Sequence, residues 1–178
     1  VSAGSLSGNT LTMPAQNVTA TANYTAKQYN VTLSVNNSSY GSVIGGGKYN
    51  CGSTVTITAS PNTGYHFVNW SDGVTDNPRT ITVTGDISLT ASFAINIYTV
   101  TFNLNGCRIY AWPGQGNIST PFYGTYSYTF THGTFLVLYA IPNDARFYSG
   151  CVWNDGWTND QRSEVVRENM SFTVTGIY

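Results

Sequence analysis

In Gly52-Ser-Thr-Val-Thr-Ile-Thr-Ala-Ser-Pro-Asn62, Val55 and Ile57 alternate with Thr54, Thr56 and Thr58. Apolar residues at period two, with threonine between them, mark a strand that buries one face and wets the other. Further along, the stretch returns as Gly133-Thr-Phe-Leu-Val-Leu-Tyr-Ala-Ile-Pro-Asn143, an offset of 81 (133 against 52). The chain is therefore an array, and a residue copied in register is explained first by the folding of its unit.

Other blocks recur at other offsets. Trp70-Ser-Asp-Gly-Val-Thr-Asp-Asn-Pro-Arg79 reappears as Trp153-Asn-Asp-Gly-Trp-Thr-Asn-Asp-Gln-Arg162, displaced by 83 (153 against 70). Tyr29-Asn-Val-Thr-Leu-Ser-Val-Asn36 matches Tyr98-Thr-Val-Thr-Phe-Asn-Leu-Asn105 at 69 (98 against 29). The last copy thus carries a net insertion of 12 between its first strand and the second block (81 against 69). Val18-Thr-Ala-Thr-Ala-Asn-Tyr24 lies 69 residues ahead of Ile87-Ser-Leu-Thr-Ala-Ser-Phe93 and extends the series to the N-terminus. The expected organisation is the closing strands of a preceding repeat at 1–26, a regular unit at 27–95 and an enlarged final unit at 96–178. Val1 falls inside a unit, which implies a piece of something longer. No signal peptide is visible, and the longest apolar stretch, Phe135 to Ile141, is too short to span a bilayer.

Composition narrows the class. Only 8% of residues are charged and the net charge is −1, so there is no electrostatic footprint for nucleic acid or an anionic membrane. Thirteen Tyr, eight Phe and four Trp within 41% hydrophobic residues are too many for a disordered linker. Val31, Leu33 and Val35, like Ile81 and Val83, repeat the period-two pattern, and Gly45-Gly-Gly47, Pro61-Asn-Thr-Gly64, Asp72-Gly73, Asn77-Pro78 and Gly85-Asp86 supply turns between the runs. The regular unit reads as five or six short antiparallel strands. Helix formers are scarce, and the best helical window, Asp160 to Glu168, aligns with a strand in the copy before it, so it reads as strand or a single turn. The expected fold is all-β, as tandem small antiparallel domains.

Three stretches taken together, from Tyr29 to Val35, from Gly45 to Trp70 and from Thr80 to Phe93, resemble the divergent internalin B-type repeat, a bacterial surface repeat related to the Listeria–Bacteroides repeats. Thr12 to Tyr24 resembles the closing stretch of such a repeat. The likeness is close over 1–95 and loose over 96–178. It implies an exported bacterial protein, extracellular or at the cell surface, in which strings of repeats serve as stalks or as adhesive segments. It also implies a β-grasp-derived fold with at most one short helical turn. Thr54 to Ser60 reads as strand where a helix would fall, which favours an all-β variant.

Chemistry-bearing residues are few. Trp70 and Trp153 read as core anchors, and Asp72 and Asp155, each followed by Gly, as turn residues within reach of Arg79 and Arg162. A calcium site on Asp72, Asp76 and Asn77 lacks further oxygen ligands, and Asp76 is Asn159 in the second copy. His66 and His132 are not equivalent positions, and no nucleophile elbow, metal-spaced His pair or phosphate cradle is present. Most of the remaining carboxylates fall in turns or have counterparts in the other copy. The reading is a non-enzyme with no catalytic residues, no metal and no cofactor.

Cys107 and Cys151 share the final unit and either bridge its enlarged loop or remain thiols, while Cys51 has no partner in its own unit. The insertion, Asn105 to Phe130, carries Tyr110, Trp112, Tyr123, Tyr126 and Tyr128, and Trp157 replaces Val74 of the regular unit. Flat aromatic faces bind sugar rings or protein partners, but a larger terminal unit also needs a larger core or a cap. Two functions remain open: a structural stalk or adhesion segment, and a glycan- or host-protein-binding module centred on Tyr110, Trp112, Tyr123, Tyr126 and Trp157. Oligomeric state is not legible.

Overall fold

The architecture is that of a computed structural model, which describes residues 5–7, 10–12, 24–113, 118–144 and 149–177. Most of 1–26, assigned above to a preceding repeat, lies outside the described residues, apart from residues 24–26 and a hairpin of β1 (Ser5–Ser7) and β2 (Thr10–Thr12). Among the described residues there is no helix. Asp160 to Glu168 contains a strand, as one of its two readings had it.

Seven strands follow: β3 (Gln28–Val35), β4 (Gly41–Ile44), β5 (Gly47–Asn50), β6 (Thr54–Pro61), β7 (Tyr65–Trp70), β8 (Arg79–Thr82) and β9 (Ile87–Ile95). They form two layers, a four-stranded sheet in the order β5-β3-β9-β7 and a three-stranded sheet in the order β4-β6-β8. Inward residues of both layers, among them Val31, Ile57, Trp70, Val83, Leu89 and Phe93, close one hydrophobic core. Each side chain of this kind that leaves water contributes about 1.5–3 kcal/mol.

The count exceeds the five or six strands expected because Gly45-Gly46 lets the chain change layers. Gly45 has φ 102°, and a Cβ there would lie 2.4 Å from the Thr56 carbonyl oxygen, so only glycine permits this crossing. β4 therefore pairs with β6, whereas β5 pairs with β3. The sheet is also not purely antiparallel: the first and last strands, β3 and β9, run parallel with Val31 opposite Ile87 and Val35 opposite Ala91. Every other pairing in this set is antiparallel. The layer that a short helix would have filled is the sheet β4-β6-β8.

The pattern then repeats with one strand added. The strands are β10 (Ile97–Asn105), β11 (Cys107–Pro113), β12 (Ile118–Ser119), β13 (Tyr123–Thr131), β14 (Phe135–Pro142), β15 (Gly150–Trp153), β16 (Gln161–Val165) and β17 (Met170–Ile177). Their sheets are β13-β10-β17-β15, again with a parallel first-and-last pair, and β12-β11-β14-β16. A second core, including Val100, Phe102, Ile109, Leu136, Leu138, Trp153 and Val174, lies between them. The insertion thus lengthens strands and adds β12, rather than forming one loop; its residues 114–117 lie outside the described residues.

Pairing register shows what the copies exchanged. Gly41 faces Pro61 as Cys107 faces Pro142, and Phe67 faces Phe93 as Cys151 faces Gly176. In the regular unit Phe67 and Phe93 pack edge to face at 6.1 Å, and a Cβ on Gly41 would come within 2.7 Å of the Phe93 ring. In the final unit the glycine and the two phenylalanines become Cys107, Cys151 and Gly176, and the structure joins the two sulfurs, fully buried, at 2.07 Å. A covalent staple between the layers stands where an aromatic plug stands in the first copy. Cys51 is exposed and unbridged.

Candidate functional site

The duplicated hairpin is the first candidate, and its geometry accounts for each retained residue. Trp70 is fully buried, its indole N–H donating to the Asp76 carbonyl at 3.0 Å, and Trp153 donates likewise to the Asn159 carbonyl at 3.3 Å. The Gly73 and Gly156 amides donate back to the Trp70 and Trp153 carbonyls at 2.8 and 2.9 Å and close the two turns. The Asp72 carboxylate accepts from Arg79 Nη1 at 2.8 Å, and Asp155 accepts from Arg162 in the same way. Arg162 also pairs with Glu164 and lies over the Trp153 and Phe172 rings. In these hairpins Trp, Asp, Gly and Arg serve folding.

The acids are tuned accordingly. Partial desolvation works to raise the Asp72 carboxyl, but the Arg79 hydrogen bond and the Val74 amide outweigh it and hold it below the ordinary value of 3.8. For Asp155 the Arg162 hydrogen bond, helped by the Trp157 amide, also holds the carboxyl below 3.8. A carboxyl lowered by folding contributes stability above its unfolded pKa and loses it as pH falls through the folded value. We expect unfolding free energy to decline as pH drops below about 4, and an Asp72→Asn, Asp155→Asn double variant to flatten that decline. Denaturant titrations between neutral and acid pH measure it; an unchanged slope would contradict these pairings.

The five aromatic candidates are not brought together. Tyr123 and Tyr126 sit on β13, in the sheet β13-β10-β17-β15, with Tyr126 turned toward the core and Tyr123 half exposed at 51%. Tyr110 and Trp112 sit on β11, in the other sheet, and their side of it faces outward. Tyr110 accepts from Arg108 Nη1 at 2.7 Å, and Trp112 is 57% exposed. Trp157, 49% exposed, caps the second hairpin and donates its indole N–H to the Gln161 carbonyl at 3.3 Å. Enlargement of the core accounts for Tyr126 and Tyr128, which pack against it, and leaves Trp112, Tyr123 and Trp157 unexplained.

A larger feature lies beside Trp112. Inward residues of β6 (Val55, Ile57, Ala59) and of β14 (Leu136, Leu138, Ala140) are apolar in both copies, each at most 8% exposed. On the outward side Thr54, Thr56, Thr58 and Ser60 are replaced, at the same register, by Phe135, Val137, Tyr139 and Ile141. Of these, Phe135, Tyr139 and Ile141 are exposed at 55%, 36% and 44%. Trp112 stands opposite Val137 and Tyr110 opposite Tyr139 on the neighbouring strand. Trp112, Val137 and Tyr139 line a depression of about 280 Å³. These β14 residues were not among the candidates read from sequence, although the threonine-to-aromatic change at offset 81 was the signal that carried them.

A family profile described as the divergent InlB B-repeat domain matches residues 2–28 and 31–97. The chain belongs to this family. The second matched stretch stops at the first residues of the final unit, so the outward aromatic face lies outside both matches to the B-repeat family. Among curated proteins, no sequence matches. The Bacillus anthracis TIE protein aligns over 85% of this chain with 10% identity and a TM-score of 0.44, and the chain spans 34% of that protein's length. A major pilin from Streptococcus pyogenes aligns over 88% of this chain and 99% of its own, with 8% identity and a TM-score of 0.32.

Proposed function

We propose that this chain is a non-catalytic segment of a bacterial cell-surface protein, acting as a stalk that holds its two described units in a fixed relation. The observation that carries the proposal is the junction. A single residue, Asn96, separates β9 from β10, and it is bonded on both sides. Its amide donates to the Gly64 carbonyl at 2.8 Å, and its carbonyl accepts from the His132 amide at 2.8 Å. The Asn96 side chain meets His66 Nδ1 at 2.9 Å and donates to the Tyr98 hydroxyl at 3.2 Å, while the Tyr98 and His132 rings lie 6.0 Å apart. A one-residue link with this many partners has little freedom to hinge, in contrast to a flexible Gly/Ser tether. Membership of the B-repeat family, the low charge and the structural use of the duplicated hairpin support the same reading.

Inserting Gly-Ser-Gly-Ser after Asn96 should broaden the small-angle scattering distance distribution and lengthen its maximum. Identical profiles for the inserted and native chains would defeat the stalk reading. A second, adhesive reading is favoured by one observation, the outward aromatic face of the final unit. A stalk does not require Phe135, Tyr139, Ile141 and Trp112 in water.

A further inference from the structure

We propose that the outward face of the sheet β12-β11-β14-β16 is a binding site for a neutral glycan chain, with Trp112 and Tyr139 as the stacking platform and the groove along β16 as the hydrogen-bonding wall. This deepens the adhesive reading and rests on it.

Three observations meet on this face. First, the inward residues of the central strand stay apolar in both copies, Val55, Ile57 and Ala59 against Leu136, Leu138 and Ala140, whereas the outward ones change polarity, threonine and serine giving way to Phe135, Val137, Tyr139 and Ile141. A change of polarity confined to the solvent side adds nothing to the core and costs solubility, so it is explained by something that covers it. Second, the apolar platform runs directly into a polar one. Tyr139 stands opposite Gln161 and Val137 opposite Ser163 on β16. That strand and the hairpin before it line a depression of about 760 Å³ that wraps the free edge of the sheet, with Gln161 and Ser163 on the outward side, Arg162 and Glu164, opposite Leu138 and Leu136, on the inward side, and Trp157, Asp155 and Asp160 beside them. Third, part of the groove is held in place before any ligand arrives: Arg162 is pinned between Asp155 and Glu164, and the Trp157 indole donates to the Gln161 backbone carbonyl.

A pyranose presents an apolar face of axial C–H bonds and a rim of hydroxyls, each both donor and acceptor. Exposed indole and phenol rings match the first, and amide, hydroxyl and carboxylate groups match the second. From β11 to β16 is two strand spacings, about 10 Å, so a ligand crossing the strands meets Trp112, then Tyr139 or Val137, then the polar groove. Charge selects among glycans. Along that edge three carboxylates, Asp155, Asp160 and Glu164, outnumber the cation Arg162, which is already paired with Asp155 and Glu164, and the surplus negative charge bordering the outward face opposes uronate, sulfate and phosphate groups. A neutral hexose or pentose polymer fits.

The test is affinity electrophoresis and calorimetric titration of the full chain against soluble neutral polysaccharides (laminarin, xylan, mannan, starch), with polygalacturonate and chondroitin sulfate as anionic counterparts. We expect at least one neutral polymer to bind, with Trp112→Ala and Tyr139→Thr each weakening binding about tenfold or more. Restoring the regular unit's residues, in a Phe135→Thr, Val137→Thr, Tyr139→Thr, Ile141→Ser chain, should abolish it. Circular dichroism and thermal melts confirm that each variant folds, and the single variants keep the test valid if the quadruple one does not. Preference for the anionic polymers, or concentration-dependent self-association removed by the quadruple variant, would overturn the neutral-glycan assignment while leaving an adhesive face. A chain that binds no polysaccharide, does not self-associate and pulls down no surface protein would overturn both.

Discussion

Trp153→Ala is expected to destabilise the final unit strongly while the regular unit keeps its stability. Trp153 is 1% exposed, stacks edge to face on Phe172 at 5.7 Å, and lies beneath the Arg162 guanidinium. Truncating a buried tryptophan costs about 3–5 kcal/mol, because transfer energy is lost and the cavity collapses only in part. Two further losses add to this: the Asn159 carbonyl loses its donor, and Arg162 loses the ring it covers. A unit of this size holds a total stability of only about 4–12 kcal/mol, so the substitution removes much of it. Calorimetry should resolve the result, with one transition shifted down by more than about 10 °C and the other nearly in place. Trp70→Ala should shift the other transition instead. Were both variants to melt like the native chain, the hairpin tryptophans would not be the anchors that their burial makes them.

Reducing the Cys107–Cys151 bond is the second large effect, and it too is confined to one unit. The bond closes a loop of sequence separation 44 between β11 and β15, in different layers, so breaking it frees the unfolded chain by about 4 kcal/mol on the loop-entropy account. Cys107→Ala with Cys151→Ala should lower the final unit's melting temperature by more than about 10 °C and leave the regular unit untouched. Thiol titration of the unfolded chain should find one reactive sulfur, Cys51, before reduction and all three Cys of the sequence after it. Three thiols without reductant would contradict the bridge. The regular unit offers a matched rescue. Cys107→Gly, Cys151→Phe and Gly176→Phe together rebuild the plug of Gly41, Phe67 and Phe93, and should recover part of the loss without a covalent bond.

Local alternation made the strands legible. β6 and β8 follow from Val55, Ile57 and Ile81 standing between threonines, because a half-buried strand imposes that pattern within a few residues. What stayed hidden depends on distant partners. Nothing near Tyr29 or Ile87 announces that β3 and β9 lie parallel, since that pairing is set by the layer change at Gly45-Gly46 and the crossover it begins. The equivalence of Cys151 with Phe67 was masked by the register shift between Phe67 and Asn69, which leaves Val68 unpaired in the first copy and has no counterpart in the second.

At the candidate site the insertion drew attention because it has no counterpart to explain it, yet its residues divide between two sheets. Tyr110 and Trp112 were recoverable from sequence as aromatic and copy-specific. Their neighbours on β14 were less visible, because Phe135 to Ile141 reads as one apolar run when its inner and outer positions are not separated. Comparing positions by parity, Thr54 with Phe135 and Thr58 with Tyr139, separates them. The duplicated Trp-Asp-Gly-Arg hairpin and the face of β14 stand at opposite ends of one rule. What the copies keep folds the unit, and what they change on the solvent side is available for recognition.

The central claim, a stalk whose units are fixed to one another through Asn96, is tested most directly by residual dipolar couplings of the native chain in a weakly aligning medium. Couplings from residues 28–95 and from residues 97–177 should fit a single alignment tensor, with the same magnitude, rhombicity and axes. Two tensors of different magnitude would mean that the units reorient independently, and the stalk account would be wrong.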